Sequence, residues 1–253
     1  MRARDFVARL GLLAALMALP TPSTAAEGQD AKPWCAPEFE TLAGDVCYHP
    51  APAPKGDAPK RRTAVIFLHG LVPAGEGWQH NQQRGILRGA QAHGFAVFAP
   101  RGREGIRPKE PLTVAWPTSA SAQKEHEAAV LAEWKAAIDL VEKRDGEPFD
   151  EVFVLGFSNG AYYTGSLAIR APHPFDGYAV FAGGRAYGVP TSDPSRRAPV
   201  FVGICTKDST AKDGQSLAAT LRKHGWPFKA ERRPVGHTVA DKHLAHAMAF
   251  LRE

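Results

Sequence analysis

Short, continuous apolar runs separated by amphipathic segments fill the chain from Thr63 onward. Such runs predict strands that are buried on both faces, because a half-exposed strand would alternate apolar and polar positions. Such strands are expected at residues 63–68 (TAVIFL), 95–99 (FAVFA), 152–156 (VFVLG), 178–182 (YAVFA) and 200–205 (VFVGIC), and a last strand is expected at 228–233 (FKAERR).

Helices are expected between these strands. The clearest one spans residues 121–143, where Val130, Trp134 and Ile138 recur at four-residue steps with charged residues between them. Other helices are expected at residues 81–93, 161–169, 215–224 and 239–251. Parallel neighbouring strands require crossover connections, so this alternation predicts an α/β fold with a mostly parallel central sheet and helices on both faces.

The first residues of the chain follow a different pattern. A basic start precedes an apolar run at residues 10–19, and Pro20 and small residues up to Ala26 follow. A run of about ten apolar residues is too short to span a bilayer. Residues 1–26 therefore predict a cleaved signal peptide, and hence an exported protein, periplasmic or secreted, with no stable membrane insertion after cleavage.

Residues 27–62 are expected to hold a β-hairpin and an exposed, proline-rich connector ahead of a catalytic domain at residues 63–253. The hairpin is placed at residues 34–48, with its turn at Gly44 and Asp45. Cys35 and Cys47 would pair in an oxidising compartment. Cys205 lies inside an apolar run, which predicts a buried, inert thiol.

Composition narrows the choice of partners. The chain has 253 residues, 44% hydrophobic and 23% charged, which suits one substantial globular α/β domain. Its net charge is +5, but the leader carries three arginines and one aspartate, a charge of +2, which leaves +3 for the mature chain. So small a positive charge does not indicate a nucleic-acid partner.

The segment Gly156-Phe157-Ser158-Asn159-Gly160 follows a buried strand and precedes a helix. A Gly-x-Ser-x-Gly sequence in that setting predicts a nucleophile elbow, in which a strained serine is exposed above the sheet and two glycines prevent clashes at the turn. The amide of Asn159 would then point at the group that Ser158 attacks.

A serine nucleophile needs a base and an acid that orients the base. His237 follows the last strand and would lie at the carboxyl edge of the sheet, whereas His243 and His246 are expected to be solvated residues of the last helix. Asp208 follows the strand at 200–205 and is the preferred acid, with Asp213 as the reserve. The order serine, acid, histidine is that of the α/β-hydrolase fold.

The strand at 63–68 runs into His69, Gly70 and Leu71, and the amide of Leu71 is the expected second donor to a reaction oxyanion. Residues 67–71 (FLHGL) and 75–78 (GEGW), together with the serine motif and the Asp208 and His237 segments, resemble the phospholipase/carboxylesterase family that includes the acyl-protein thioesterases. The similarity covers residues 63–251 and extends to secreted polyhydroxybutyrate depolymerases and feruloyl esterases.

The sequence thus predicts an exported serine hydrolase that cleaves carboxylic esters through an acyl-enzyme on Ser158, without a metal or organic cofactor. Its substrate would be a small-molecule, lipid or polymer ester. A serine peptidase of the same fold and a binding protein that kept the fold without catalysis are the alternatives. The aromatic residues could line an apolar pocket or pack in the core, and the sequence does not decide between these for Trp78, Trp116, Tyr162, Tyr163 and Tyr187.

Overall fold

The computed structural model describes residues 33–53, 61–73, 75, 77–185 and 188–253. The expected signal peptide, most of the proline-rich connector and Tyr187 lie outside the described residues. No helix in the described ranges is long and apolar enough to cross a membrane.

Within the part of the chain that the structure describes, eight strands form one sheet in the order β1-β2-β4-β3-β5-β6-β7-β8. Their bounds are β1 Glu40–Leu42, β2 Val46–His49, β3 Thr63–Leu68, β4 Ala96–Ala99, β5 Glu151–Phe157, β6 Gly177–Phe181, β7 Val200–Cys205 and β8 Phe228–Arg233. Strands β3 to β8 are parallel, as predicted, and β3 lies between β4 and β5. The predicted hairpin is also present, and its strand β2 pairs antiparallel with β4, so that the hairpin extends the central sheet.

In the described ranges, five α-helices cover the two faces of this sheet. They are α1 Trp78–His93, α2 Ala120–Asp145, α3 Asn159–Arg170, α4 Ala211–Lys223 and α5 Asp241–Leu251. Side chains of α1 and α5 pack in one apolar cluster with Val65 and Phe67 of β3, whereas those of α2, α3 and α4 pack in a second cluster with Ile66 and Leu68. Successive side chains of a strand point to opposite faces, so β3 contributes to both cores and every one of its residues is buried.

Three helices begin at least two residues earlier than the pattern predicts. α1 starts at Trp78 and α4 at Ala211, three and four residues before the expected positions, and α3 starts at Asn159, directly after the serine turn. Apart from Trp78, their first turns carry polar or small residues, which give no apolar periodicity to mark a helix. Asp213 therefore lies in the first turn of α4, where a negative charge favours the helix dipole.

The prediction that His243 is solvated is wrong. Its side chain is fully buried on α5, where it packs against β7 with its ring 6.3 Å from that of Phe201, and Gly203 leaves room for it. Burial lowers the pKa of His243, so the neutral ring is favoured. His246 is exposed, as predicted, and its Nδ1 lies 2.5 Å from Glu231 Oε2.

The cysteines take the predicted arrangement. Cys35 and Cys47 form a disulfide, with their Cα atoms 5.3 Å apart, and this bridge ties the segment before β1 to β2. Cys205 is a buried free thiol whose Sγ donates a hydrogen bond to the Thr238 carbonyl at 3.4 Å.

Candidate active site

Ser158 occupies the tight turn between β5 and α3. Its backbone has φ 53° and ψ −117°, a conformation that is rare and strained for a residue with a side chain. The flanking glycines are required: a Cβ at Gly156 would lie 2.3 Å from Thr164 Oγ1, and one at Gly160 would lie 2.2 Å from the Leu68 carbonyl oxygen. The predicted elbow geometry is therefore present at Ser158.

A chain of two hydrogen bonds ends at this serine. His237 Nε2 lies 2.8 Å from Ser158 Oγ, and His237 Nδ1 lies 2.6 Å from Asp208 Oδ2. The Asp208 side chain is 5% exposed, whereas that of His237 is 44% exposed. The structure thus brings the three predicted residues together, with the acid buried beneath the base and the base open to the solvent.

The protonation states follow from the surroundings of Asp208. Burial opposes ionisation of this carboxyl group, but hydrogen bonds from His237 and Thr210 outweigh it and lower the pKa of Asp208 below its ordinary value. An ionised carboxylate only accepts hydrogen bonds, so the proton of the neutral imidazole lies on Nδ1. Nε2 is then free to accept the hydroxyl proton of Ser158.

Backbone hydrogen bonds join the two loops that carry the acid and the base. The Thr206 amide donates to the Arg233 carbonyl at 2.8 Å, and the Lys207 amide donates to the Val235 carbonyl at 3.1 Å. These contacts continue the β7–β8 pairing beyond the strands. They set Asp208 and His237 at a fixed separation.

Asp213, the reserve acid, is not brought to His237. Its Oδ2 accepts a hydrogen bond from the hydroxyl of Tyr162 at 2.6 Å. Tyr162 lies one turn into α3, after Ser158, so this bond connects α3 with the first turn of α4. Asp213 therefore links two helices that flank the site.

The backbone amides near Ser158 are of two kinds. Those of Gly70 and Gly160 are already hydrogen-bonded, whereas those of Leu71 and Asn159 are available to a bound group as far as the described residues go. The Gly70 amide donates to Gln82 Oε1 at 2.6 Å, and the Gly160 amide donates to the His69 carbonyl at 3.1 Å. By contrast, no described residue accepts a hydrogen bond from the amide of Leu71 or Asn159. These are the two amides that the sequence predicts as oxyanion donors.

His69 holds the loop that carries Leu71. The ring is buried, its Nδ1 donates to the Gly70 carbonyl, and its Nε2 accepts from the Gly102 amide at 3.1 Å. Burial is the main cause that lowers the pKa of His69 to about 4, so it stays neutral. Sequence reasoning treated His69 only as part of a strand end and missed Gln82 altogether, because neither role has a local signal.

The aromatic residues divide between core and cavity. Trp116 and Tyr163 are buried in the core, and Trp116 also donates from Nε1 to the His69 carbonyl at 2.9 Å and from its amide to Asn159 Oδ1 at 2.7 Å. Trp78 instead lines a cavity of about 610 Å³ beside Ser158 and His237. That cavity lies between α1 and the segment from His237 into α5, and most of its surface is apolar.

A mostly parallel sheet with a strained serine, a histidine and an aspartate at its carboxyl edge places the protein in the α/β-hydrolase class. Residues 52–246 match the dienelactone hydrolase family, and the chain belongs to that family.

Individual relatives agree with this assignment. The chain is 27% identical over 208 residues to acyl-protein thioesterase 1 of Eremothecium gossypii, a match that covers 75% of this chain and 86% of the relative. A carboxylesterase from Mesorhizobium loti has a similar fold, with a TM-score of 0.60, 21% identity and coverage of 85% of this chain and 99% of that one. The Bacillus cereus carboxylesterase gives a TM-score of 0.58 at 14% identity, covering 82% of this chain and 93% of that one.

Proposed function

We propose that the protein is an exported carboxylic ester hydrolase that works through an acyl-enzyme on Ser158. One observation carries the proposal: the hydrogen-bond chain from Asp208 through His237 ends at the hydroxyl of a strained serine, which borders a cavity. The names of the relatives, a thioesterase and two carboxylesterases, support the choice of an ester-type bond.

In the proposed reaction, His237 Nε2 takes the proton of Ser158 as Oγ attacks the ester carbonyl carbon. Asp208 stabilises the resulting imidazolium, and the amides of Leu71 and Asn159 donate to the negatively charged oxygen of the tetrahedral intermediate. His237 then gives its proton to the departing alcohol. Water, deprotonated by the same histidine, cleaves the acyl-enzyme and restores Ser158.

A serine-directed probe separates this proposal from a binding protein with the same fold. A fluorophosphonate should label the wild-type protein, and Ser158→Ala should lose both the labelling and the hydrolysis of p-nitrophenyl acetate. Ser216→Ala, at an exposed position of α4, is the matched control and should keep both. Esterase activity that persists in Ser158→Ala would refute the mechanism, and cleavage of peptide substrates but not of esters would favour a peptidase.

Export is the second element of the proposal, and the disulfide between Cys35 and Cys47 supports it, because such bonds persist in oxidising compartments. The full chain expressed in a Gram-negative host should appear outside the cytoplasm, shortened by the leader. A chain that lacks residues 1–26 should remain in the cytoplasm with both thiols reduced. Full-length, uncleaved protein in the cytoplasmic fraction would contradict export.

A further inference from the structure

The cavity beside Ser158 follows one face of α1. Helical residues at three- and four-residue steps line it, beginning at Trp78 and continuing through Gln82 and Gly85 to Arg88. Gln82 is held against Gly70 next to the serine, and Arg88 lies six residues further, about 9 Å along the helix axis. The cavity therefore extends along α1 from Trp78 to Arg88, and the reactive hydroxyl lies near Gln82.

Gly85 stands in the middle of this face. A glycine inside a helix makes that helix less stable than alanine would, so it calls for a reason. Gly89 on the same helix has one in packing, since a Cβ there would lie 2.2 Å from Leu244 Cδ2 of α5. At Gly85 a Cβ would meet no atom within 4 Å, so neither close packing nor a positive φ requires glycine there.

We infer that Gly85 is a specificity-determining residue: its missing side chain keeps the middle of the cavity open for an elongated apolar group of the ester. The lining of the same cavity includes Phe67, Ile86 and Leu244, which are buried and apolar. An alkyl or aryl group removes more apolar surface from water here than a polar group of the same length, and so binds better. The inference rests on the proposed ester hydrolysis at Ser158.

An apolar group would bind in the cavity by the same contacts whether it belongs to the acyl or to the alcohol part of the ester. Two substrate series distinguish these two cases. One series varies the acyl group, from p-nitrophenyl acetate through butyrate to octanoate. The other varies the alcohol, from methyl through butyl to octyl acetate, with acid release followed by titration. Wild-type kcat/KM should rise with length in one of the two series.

The variant Gly85→Leu places a side chain in the gap and should lower kcat/KM for the longest member of that series by at least about tenfold, a typical effect of misfit in an apolar pocket. The shortest member should change by no more than about twofold, because it does not reach the gap. Gln91→Leu is the matched control, since it adds the same side chain to an exposed position of α1 outside the cavity. It should leave the length profile unchanged.

Gly85→Ala keeps the test decisive if the leucine variant does not fold, because alanine favours the helix and adds one methyl group to the gap. It should show the same length-selective loss at about threefold. A uniform loss across lengths, or an unchanged profile in both series, would overturn the inference. Neither result affects the proposed function, which instead fails if the wild-type protein does not hydrolyse even the shortest esters.

Discussion

Two histidines follow strands at the same edge of the sheet and have opposite environments. His237, after β8, has a side chain that is 44% exposed and pairs with the carboxylate of Asp208. His69, after β3, is 4% exposed, and its ring hydrogen-bonds to the backbone of Gly70 and Gly102. His237 is open to the solvent and has a charged partner, whereas burial keeps His69 neutral.

The regions around the two rings differ in the same way. His237 is on a loop that borders the cavity, and its ring touches Phe157 next to Ser158, with centroids 4.9 Å apart. The ring of His69 packs between those of Trp34 and Trp116, at 5.2 and 4.9 Å. Position at a strand end therefore does not by itself make a histidine reactive, and the two regions should respond differently to substitution.

The largest effect is expected at His237. His237→Ala should lower kcat on a simple ester by at least about four orders of magnitude, because Ser158 loses its base, while the melting temperature stays near that of the wild type. Stopped assays with p-nitrophenyl acetate and a thermal melt measure the two quantities. His246→Ala is the control. His246 is also exposed and lies on α5, and its variant should keep wild-type kcat. A small loss of kcat in His237→Ala would show that another residue is the base.

The carboxylate next to His237 gives the second largest effect. Asp208→Asn should cut kcat by up to about four orders of magnitude, because an amide favours the wrong imidazole tautomer. Asp213→Asn weakens the bond to Tyr162 and removes a charge that favours the dipole of α4, and should cost about 1 kcal/mol of unfolding free energy with little change in kcat. Turnover numbers of both variants on one ester decide the matter, and a larger loss in Asp213→Asn would assign the acid role to Asp213.

Substitution of the buried histidine should act on stability. His69→Leu leaves the Gly102 amide without its acceptor, so the free energy of unfolding should fall by roughly 2–4 kcal/mol. Ser158 should still react with a fluorophosphonate, although more slowly, because Leu71 is less well positioned. Urea unfolding and labelling rates measure the two effects. Unchanged stability would show that the His69 contacts do not hold this loop.

The same ring should make stability depend on pH. The pKa of His69 is about 4 in the folded protein and about 6.5 when unfolded, so between these values only the unfolded chain binds the proton. Stability is therefore full above pH 6.5 and should decrease by up to about 3 kcal/mol as pH falls towards 4. Urea unfolding at several pH values measures this slope, which should be shallower in His69→Leu. Parallel slopes would contradict a depressed pKa at His69.

The smallest effect is expected from the disulfide, which covers the His69 side of the site. Gln83 of α1 donates from Nε2 to Cys47 Sγ at 3.3 Å and accepts from the Ala36 amide at 2.7 Å. The disulfide-bonded segment, which is the cover meant here, is thereby held on α1. Closing so short a loop should contribute about 2–3 kcal/mol in the chain-entropy model. Reduction should lower the melting temperature and leave kcat largely intact, and loss of kcat before unfolding would show that the cover shapes the site.

Local sequence determined those parts whose cause is local. The bounds of β3 and β7 could be predicted because strands buried on both faces are uniformly apolar and end at polar residues. Ser158 could be identified because its backbone conformation requires glycines two residues away on both sides. The close spacing of Cys35 and Cys47 likewise predicted their bond, which the structure contains.

The tertiary structure decided whatever depends on contacts between distant residues. Asp208 and Asp213 both follow β7, and only the pairing of the loops after β7 and β8 brings the first of them to His237. His243 is buried because Gly203 of another element leaves room for it. The local sequence around a polar residue is the same whether that residue lies on the buried or on the solvent-exposed side of its helix or loop. Whether it is solvated, locked or reactive depends on the elements packed against it, because burial and charged partners set its pKa and its access to substrate.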